Sequence, residues 1–161
     1  MSKYNITENK QQRPAAYRTT VSPEVMDELQ RKVTQKIVVE KCSRDKNYSA
    51  RQLAQDLGTN TRYISAVVNN RFHKNYTELV NGYRVEEAMS LMVDRRYQKT
   101  NIEDISAMVG FSNRQSFYAA FYRFVGKTPR QYRVEELEKR AIDTTPKKRG
   151  RKPKNRQEGN A

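Results

Sequence analysis

Apolar side chains along this chain recur in steps of three and four. No stretch alternates every second residue, so the pattern predicts helices and no strands. Residues 1–21 are polar and aperiodic and read as a flexible, disordered arm. Ser22-Pro23 starts a first helix over 22–42, with Ser as N-cap and Val25, Leu29, Val33 and Ile37 as one apolar stripe. Ser49 caps the next helix, Tyr48 and Leu53 staple it, and Ala50, Leu53, Ala54 and Leu57 face inward until Gly58 stops the run. After Thr59-Asn60 a short helix carries Tyr63, Ile64, Val67 and Val68, which completes a helix pair over 49–72. A longer helix over 75–94 has Tyr76, Leu79, Val80 and Tyr83 at i, i+3, i+4 and i+7, continued by Val85, Ala88, Leu91 and Met92. Thr100 and Glu103 have the spacing of a capping box. Ile102, Ile105 and Val109 then lead to Gly110, and Phe117, Phe121 and Phe124 lead to Gly126, a second pair over 101–126. Thr128-Pro129 opens a last helix over 128–138 that buries Tyr132 and Leu137, and 139–161 read as a disordered basic tail. The predicted fold is all-α, about seven helices, with residues 22–137 as its one domain.

The two pairs repeat each other. Leu53-Ala54-x-x-Leu57-Gly58 and Ile105-Ser106-x-x-Val109-Gly110 stand 52 residues apart throughout. Each has a small residue four before the Gly, where two steeply crossing helices meet, and a Gly where the chain turns left-handed. That is the physical content of a helix-turn-helix. Ile64 and Val68 match Phe117 and Phe121, with one extra residue in the second turn.

Charge says what such a pair of units could hold. The net charge is +14, from 32 basic and 18 acidic residues, which points to a polyanionic partner. Residues 138–161 alone carry nine basic against three acidic side chains. Catalysis finds no support: no nucleophile–base pair, metal-ligand spacing or phosphate-cradling Gly-rich loop is present, and no cofactor or metal is expected. The lone Cys42 reads as an incidental thiol and the lone His73 as a loop residue. No apolar run approaches the roughly 20 residues that span a bilayer, so a cytoplasmic, nucleoid-associated protein without membrane contact is expected.

Double-stranded DNA fits the duplicated units best. The second helix of such a unit enters the major groove, and residues near its start reach base edges. These are Arg62 and Tyr63 in the first copy and Asn113, Arg114 and Gln115 in the second. Arg suits guanine and Gln suits adenine through paired hydrogen bonds. The long helix between the copies would be a rod of roughly 27–30 Å, against about 34 Å between successive major-groove faces. One chain could then do what a helix-turn-helix dimer does. Oligomeric state stays open, with a monomer favoured.

Residues 110–133, GFSNRQSFYAAFYRFVGKTPRQYR, resemble the signature of the AraC/XylS family of bacterial transcription regulators, and NGYRVEEAMSLM at 81–92 is similar to that family's linker helix. The likeness covers about residues 27–137. It implies two helix-turn-helix units on a long helix, transcription regulation, and the transcription machinery as a further partner. Carried over by position, it implies base-facing Arg62, Tyr63, Ser65 and Ala66 in the first unit and Arg114, Gln115, Tyr118 and Ala119 in the second. It also implies phosphate contacts at Asn69-Asn70-Arg71. The chain departs from many members in three ways: Ala66 and Ala119 stand where long polar side chains are common, basic pairs are commoner than Asn69-Asn70-Arg71, and only about 26 residues precede the domain. No small-molecule effector is therefore expected.

The tail contains PKKRGRKPK at 146–154. Arg149-Gly150-Arg151 with Pro153 is similar to an AT-hook, whose arginines lie in the A·T-rich minor groove, although Lys152 intervenes before the proline. The plainer alternative is a phosphate-binding tail in which Lys147, Lys148, Arg149, Arg151, Lys152 and Lys154 release counterions. Two rivals to a sequence-specific regulator remain: a weakly specific architectural DNA protein, and a helical protein-interaction module.

Overall fold

The structure, a computed structural model, describes residues 21–143. Of the expected arm only Val21 is described, and it packs on the first core; residues 1–20 and the basic run at 147–154 lie outside the described residues. Among the described residues there are seven α-helices and no strand: α1 Pro23–Thr34, α2 Ala50–Asp56, α3 Thr61–Phe72, α4 Tyr76–Val93, α5 Ile102–Met108, α6 Arg114–Val125 and α7 Pro129–Asp143.

Side-chain caps set most of these boundaries by satisfying N–H groups that no helical carbonyl can reach. Ser22, Ser49, Asn60, Asn101 and Asn113 accept from Val25, Gln52, Tyr63, Asp104 and Ser116 N–H. The capping box expected at Thr100–Glu103 is off by one residue, because Asn101 takes the cap at 2.7 Å. Reciprocal boxes stand instead at Asn75–Glu78 and Thr128–Gln131.

The first helix ends earlier than expected. α1 gives way at Gln35 to a wide π turn through Val39, and Lys41 turns left-handed at φ 57°. A 3₁₀ turn follows at Cys42–Arg44. The buried stripe is Met26, Leu29, Val33 and Ile37, whereas Val25 is 43% exposed. Two further expectations change. Phe124 does not join Phe117 and Phe121 in the core; it is 39% exposed and lies beside Gly82. α7 extends through Asp143, past the expected end at 138, with Arg140 Nη1 donating to the Val93 carbonyl at 3.1 Å.

The core is in two parts. Met26, Leu29, Val33, Leu53, Ile64, Val67 and Val68 pack with Leu79 and Val80 of α4. Ile105, Val109, Phe111, Phe117 and Phe121 pack with Val85, Ala88 and Met92. At 3.6 residues per turn these two sets of α4 residues lie on nearly opposite faces of the helix. Each helix pair therefore owns a core, and α4 belongs to both.

The α1–α2 connection is tied to α4 by charge. Glu87 accepts from Arg44 Nε at 3.1 and 3.2 Å and also from the Lys41 ammonium. Burial works to raise the Glu87 pKa, but the hydrogen bonds from Arg44 and Lys41 outweigh it and hold the carboxyl below its usual range. A depressed carboxyl stabilises the fold above the unfolded pKa, near 4.3, and that contribution is lost as pH falls through the folded value. Glu87→Gln should therefore cost about 1 kcal/mol at pH 7. Urea unfolding of both proteins checks this, and the difference should shrink toward zero at strongly acidic pH.

Candidate nucleic-acid interface

The pairs α2–α3 and α5–α6 are two copies of one unit. Gly58 turns at φ 63° and Gly110 at φ 105°, each one residue past its first helix's C-cap. Ala54 and Ser106, the small residues before them, are buried where the two helices meet. Up to the glycines the copies align with an offset of 52, and from the caps Asn60 and Asn113 onward with an offset of 53. The turns still match one residue past the glycines, where Thr59 N–H donates to the Ala54 carbonyl and Phe111 N–H to the Ser106 carbonyl, so the extra residue is Ser112. The buried Phe111 ring, where the first unit has Thr59, stands edge-on to Phe117 at 5.1 Å and plugs the second core.

The caps give the register of the two outer helices. Thr61 corresponds to Arg114, Arg62 to Gln115, Ser65 to Tyr118 and Ala66 to Ala119. The second unit presents Arg114 and Gln115 exposed, with Tyr118 half-buried. The Arg114 guanidinium lies 4.9 Å over the Tyr118 ring, which itself stands edge-on to Phe117. A chain of contacts thus runs from the core to a cation at the helix start. Glu103 of α5 approaches Arg114 Nε at 3.4 Å across open surface, where such a pair is worth little. Asn113 is engaged through its oxygen in capping α6, which leaves its side-chain amide N–H groups to face outward.

The first unit presents less. Arg62 and Tyr63 are exposed, and Arg62 has no carboxylate partner among the described residues. Ser65 is half-buried. Ala66, expected on the outer face, is only 1% exposed and belongs to the first core. Asn69 turns its amide onto the Ser65 carbonyl at 2.9 Å. Arg71 is tied to α1 through Asp27 at 2.6 Å and the Pro23 carbonyl at 3.4 Å.

One further exposed side chain lies on the outer face of α6. Tyr122, 61% exposed, continues the outer face of α6 set by Gln115, Tyr118 and Ala119. It stands at i+7 from Gln115, out of phase with the buried Phe117 and Phe121. No helix among the described residues is long and apolar enough to cross a membrane.

A family model for a helix-turn-helix domain matches residues 53–135. Three solved structures share the fold. One is the C-terminal domain of AraT, a response regulator from Geobacillus stearothermophilus, with 24% identity over 71% of this chain and 86% of that one at a TM-score of 0.60. A protein of unknown function from Listeria innocua gives 24% identity, 65% and 94% coverage and a TM-score of 0.57. The C-terminal domain of the two-component response regulator yesN from Fusobacterium nucleatum gives 23%, 65%, 97% and 0.52. No curated protein matches the chain.

Proposed function

The chain belongs to the AraC-type helix-turn-helix domain family, and from that membership we propose a DNA-binding transcription regulator that reads sequence with α3 and α6 in successive segments of one major groove. The observation that carries this reading is the paired display. Two Asn-capped helices, each the second of its unit, present polar side chains at their starts, and both units pack on one linker helix. With 18 residues, α4 is about 27 Å long, of the same order as the distance between successive groove faces.

Arg62, Tyr63 and Ser65 act as readers in the first unit, and Asn113, Arg114, Gln115 and Tyr118 in the second. The second unit is the stronger, since it offers both an Arg and a Gln with the geometry for guanine and adenine edges. The tail residues Lys147, Lys148, Arg149, Arg151, Lys152 and Lys154 add phosphate or minor-groove contacts, as does Arg71 where it is released from Asp27. A monomer suffices for two half-motifs, and the transcription machinery is the protein partner.

A weakly specific architectural role is favoured by one observation, the buried Ala66 and self-bonded Asn69 of the first unit. Competition between a selected and a scrambled duplex at fixed salt separates the two. A regulator should discriminate by on the order of 10³-fold or more, and a ratio near one would leave the architectural role. Arg114→Ala should cost about 1–3 kcal/mol on the selected duplex and little on the scrambled one; equal losses would remove Arg114 from the readers.

A further inference from the structure

We propose that Arg84 is the positioning residue that fixes the two DNA-reading units relative to each other, by joining the α1–α2 connection, the linker helix and the turn of the second unit. The inference rests on the DNA-reading function proposed above and adds which residue sets the geometry of the two readers.

Arg84 sits on α4 between the residues that serve the first core, ending at Val80, and those that serve the second, starting at Val85. Its Nε donates to the Ser43 carbonyl at 2.6 Å and its Nη2 to the Asp45 carbonyl at 3.0 Å. Both carbonyls belong to the segment that leads into α2. Its Nη1 donates to Asn81 Oδ1 at 3.2 Å, which orients the group from its own helix. The guanidinium also lies 5.6 Å over Phe111, in the turn of the second unit. Gly110, next to Phe111, brings the second turn against the same 3₁₀ segment: a Cβ there would meet the Ser43 carbonyl oxygen at 2.4 Å.

One planar cation thus touches three bodies, using its edge for carbonyls and its face for a ring. Only Arg supplies that combination, because a Lys ammonium is a point charge without a fork or a flat face. Hydrogen bonds to a charged donor are also among the stronger kind. The two units have separate cores, so the tie between them governs how much one reader wanders when the other is seated.

The test uses the full chain with Cys42→Ser and nitroxide labels on cysteines at Gln55 and Ala107, exposed equivalent positions of the two units and outside the reading surfaces. Electron–electron distance distributions are recorded without DNA for the parent, Arg84→Lys and Arg84→Ala, with circular dichroism to confirm helicity. The distribution should be narrow in the parent and at least about twofold broader in both variants. Affinity for a duplex with two half-motifs should fall about tenfold while affinity for one half-motif holds, as expected when the effective concentration of the second site drops. If Arg84→Ala does not fold, Arg84→Lys decides. A distribution as narrow as the parent's in a folded variant would overturn the proposal whatever the DNA arm shows. Broadening without any sequence-specific DNA binding would leave the positioning role and remove the DNA-reading function.

Discussion

Gly110→Ala should destabilise the domain by about 3–4 kcal/mol, whereas Gly58→Ala, the same substitution at the equivalent position of the first unit, should cost about 1–2 kcal/mol. Both glycines have positive φ, so an alanine at either is strained. The difference is in what surrounds them. Around Gly58 nothing lies within 4 Å of an added Cβ. At Gly110 the Cβ would fall 2.4 Å from the Ser43 carbonyl oxygen and 2.8 Å from that of Arg44. These are backbone atoms, which cannot rotate aside as a side-chain tip does, so the second turn must lift from the α1–α2 connection. The duplicated fold supplies its own control: the excess loss at Gly110 measures the contact between units. Urea midpoints of the two variants are the readout, and equal shifts would mean that the close packing of the turn on Ser43–Arg44 is not present in solution.

Phe117→Ala should cost about 3–5 kcal/mol, a large share of the roughly 5–15 kcal/mol that a domain of this size has in hand. The side chain is fully buried and meets Phe111, Tyr118 and Phe121 edge-on at 5.1, 5.9 and 5.6 Å. Because the two cores are separate, the loss should be local at first. Hydrogen exchange should show α5 and α6 losing protection while α2 and α3 keep most of theirs. Phe124→Ala, at the exposed end of the same apparent repeat, should change stability by less than about 1 kcal/mol. Uniform loss of protection across both units would contradict the division of the core.

These contrasts show what could be read from the chain alone. The helix order, the duplication and the start of the second helix in each unit are legible because each rests on local chemistry: cap residues, positive-φ glycines and apolar spacing. Phe117 and Phe121 follow from the helical period. The same period puts Phe124 in the core, where it does not lie, since a stripe does not reveal where a neighbouring element ends. Val25 failed likewise, being one position off the stripe that starts at Met26. The early end of α1 depends on a π turn that shifts register by one residue, which no residue type marks. Ala66 and Ala119 look equivalent in sequence, yet the first lies in the core and the second is exposed. The tie through Arg84 and Gly110 joins residues about 40 and 67 positions from Ser43 in the chain, and a contact of that range leaves no periodic trace.

On the proposed function, one chain presents two readers at a fixed separation. Selection of bound duplexes from a random pool tests it most directly. Enrichment of two half-motifs at a single spacing, about 10–10.5 base pairs centre to centre, is expected. The half facing α6 should be the more sharply defined and should contain a guanine and an adenine. Enrichment of one half-motif alone, of two at freely varying spacing, or of none would contradict it.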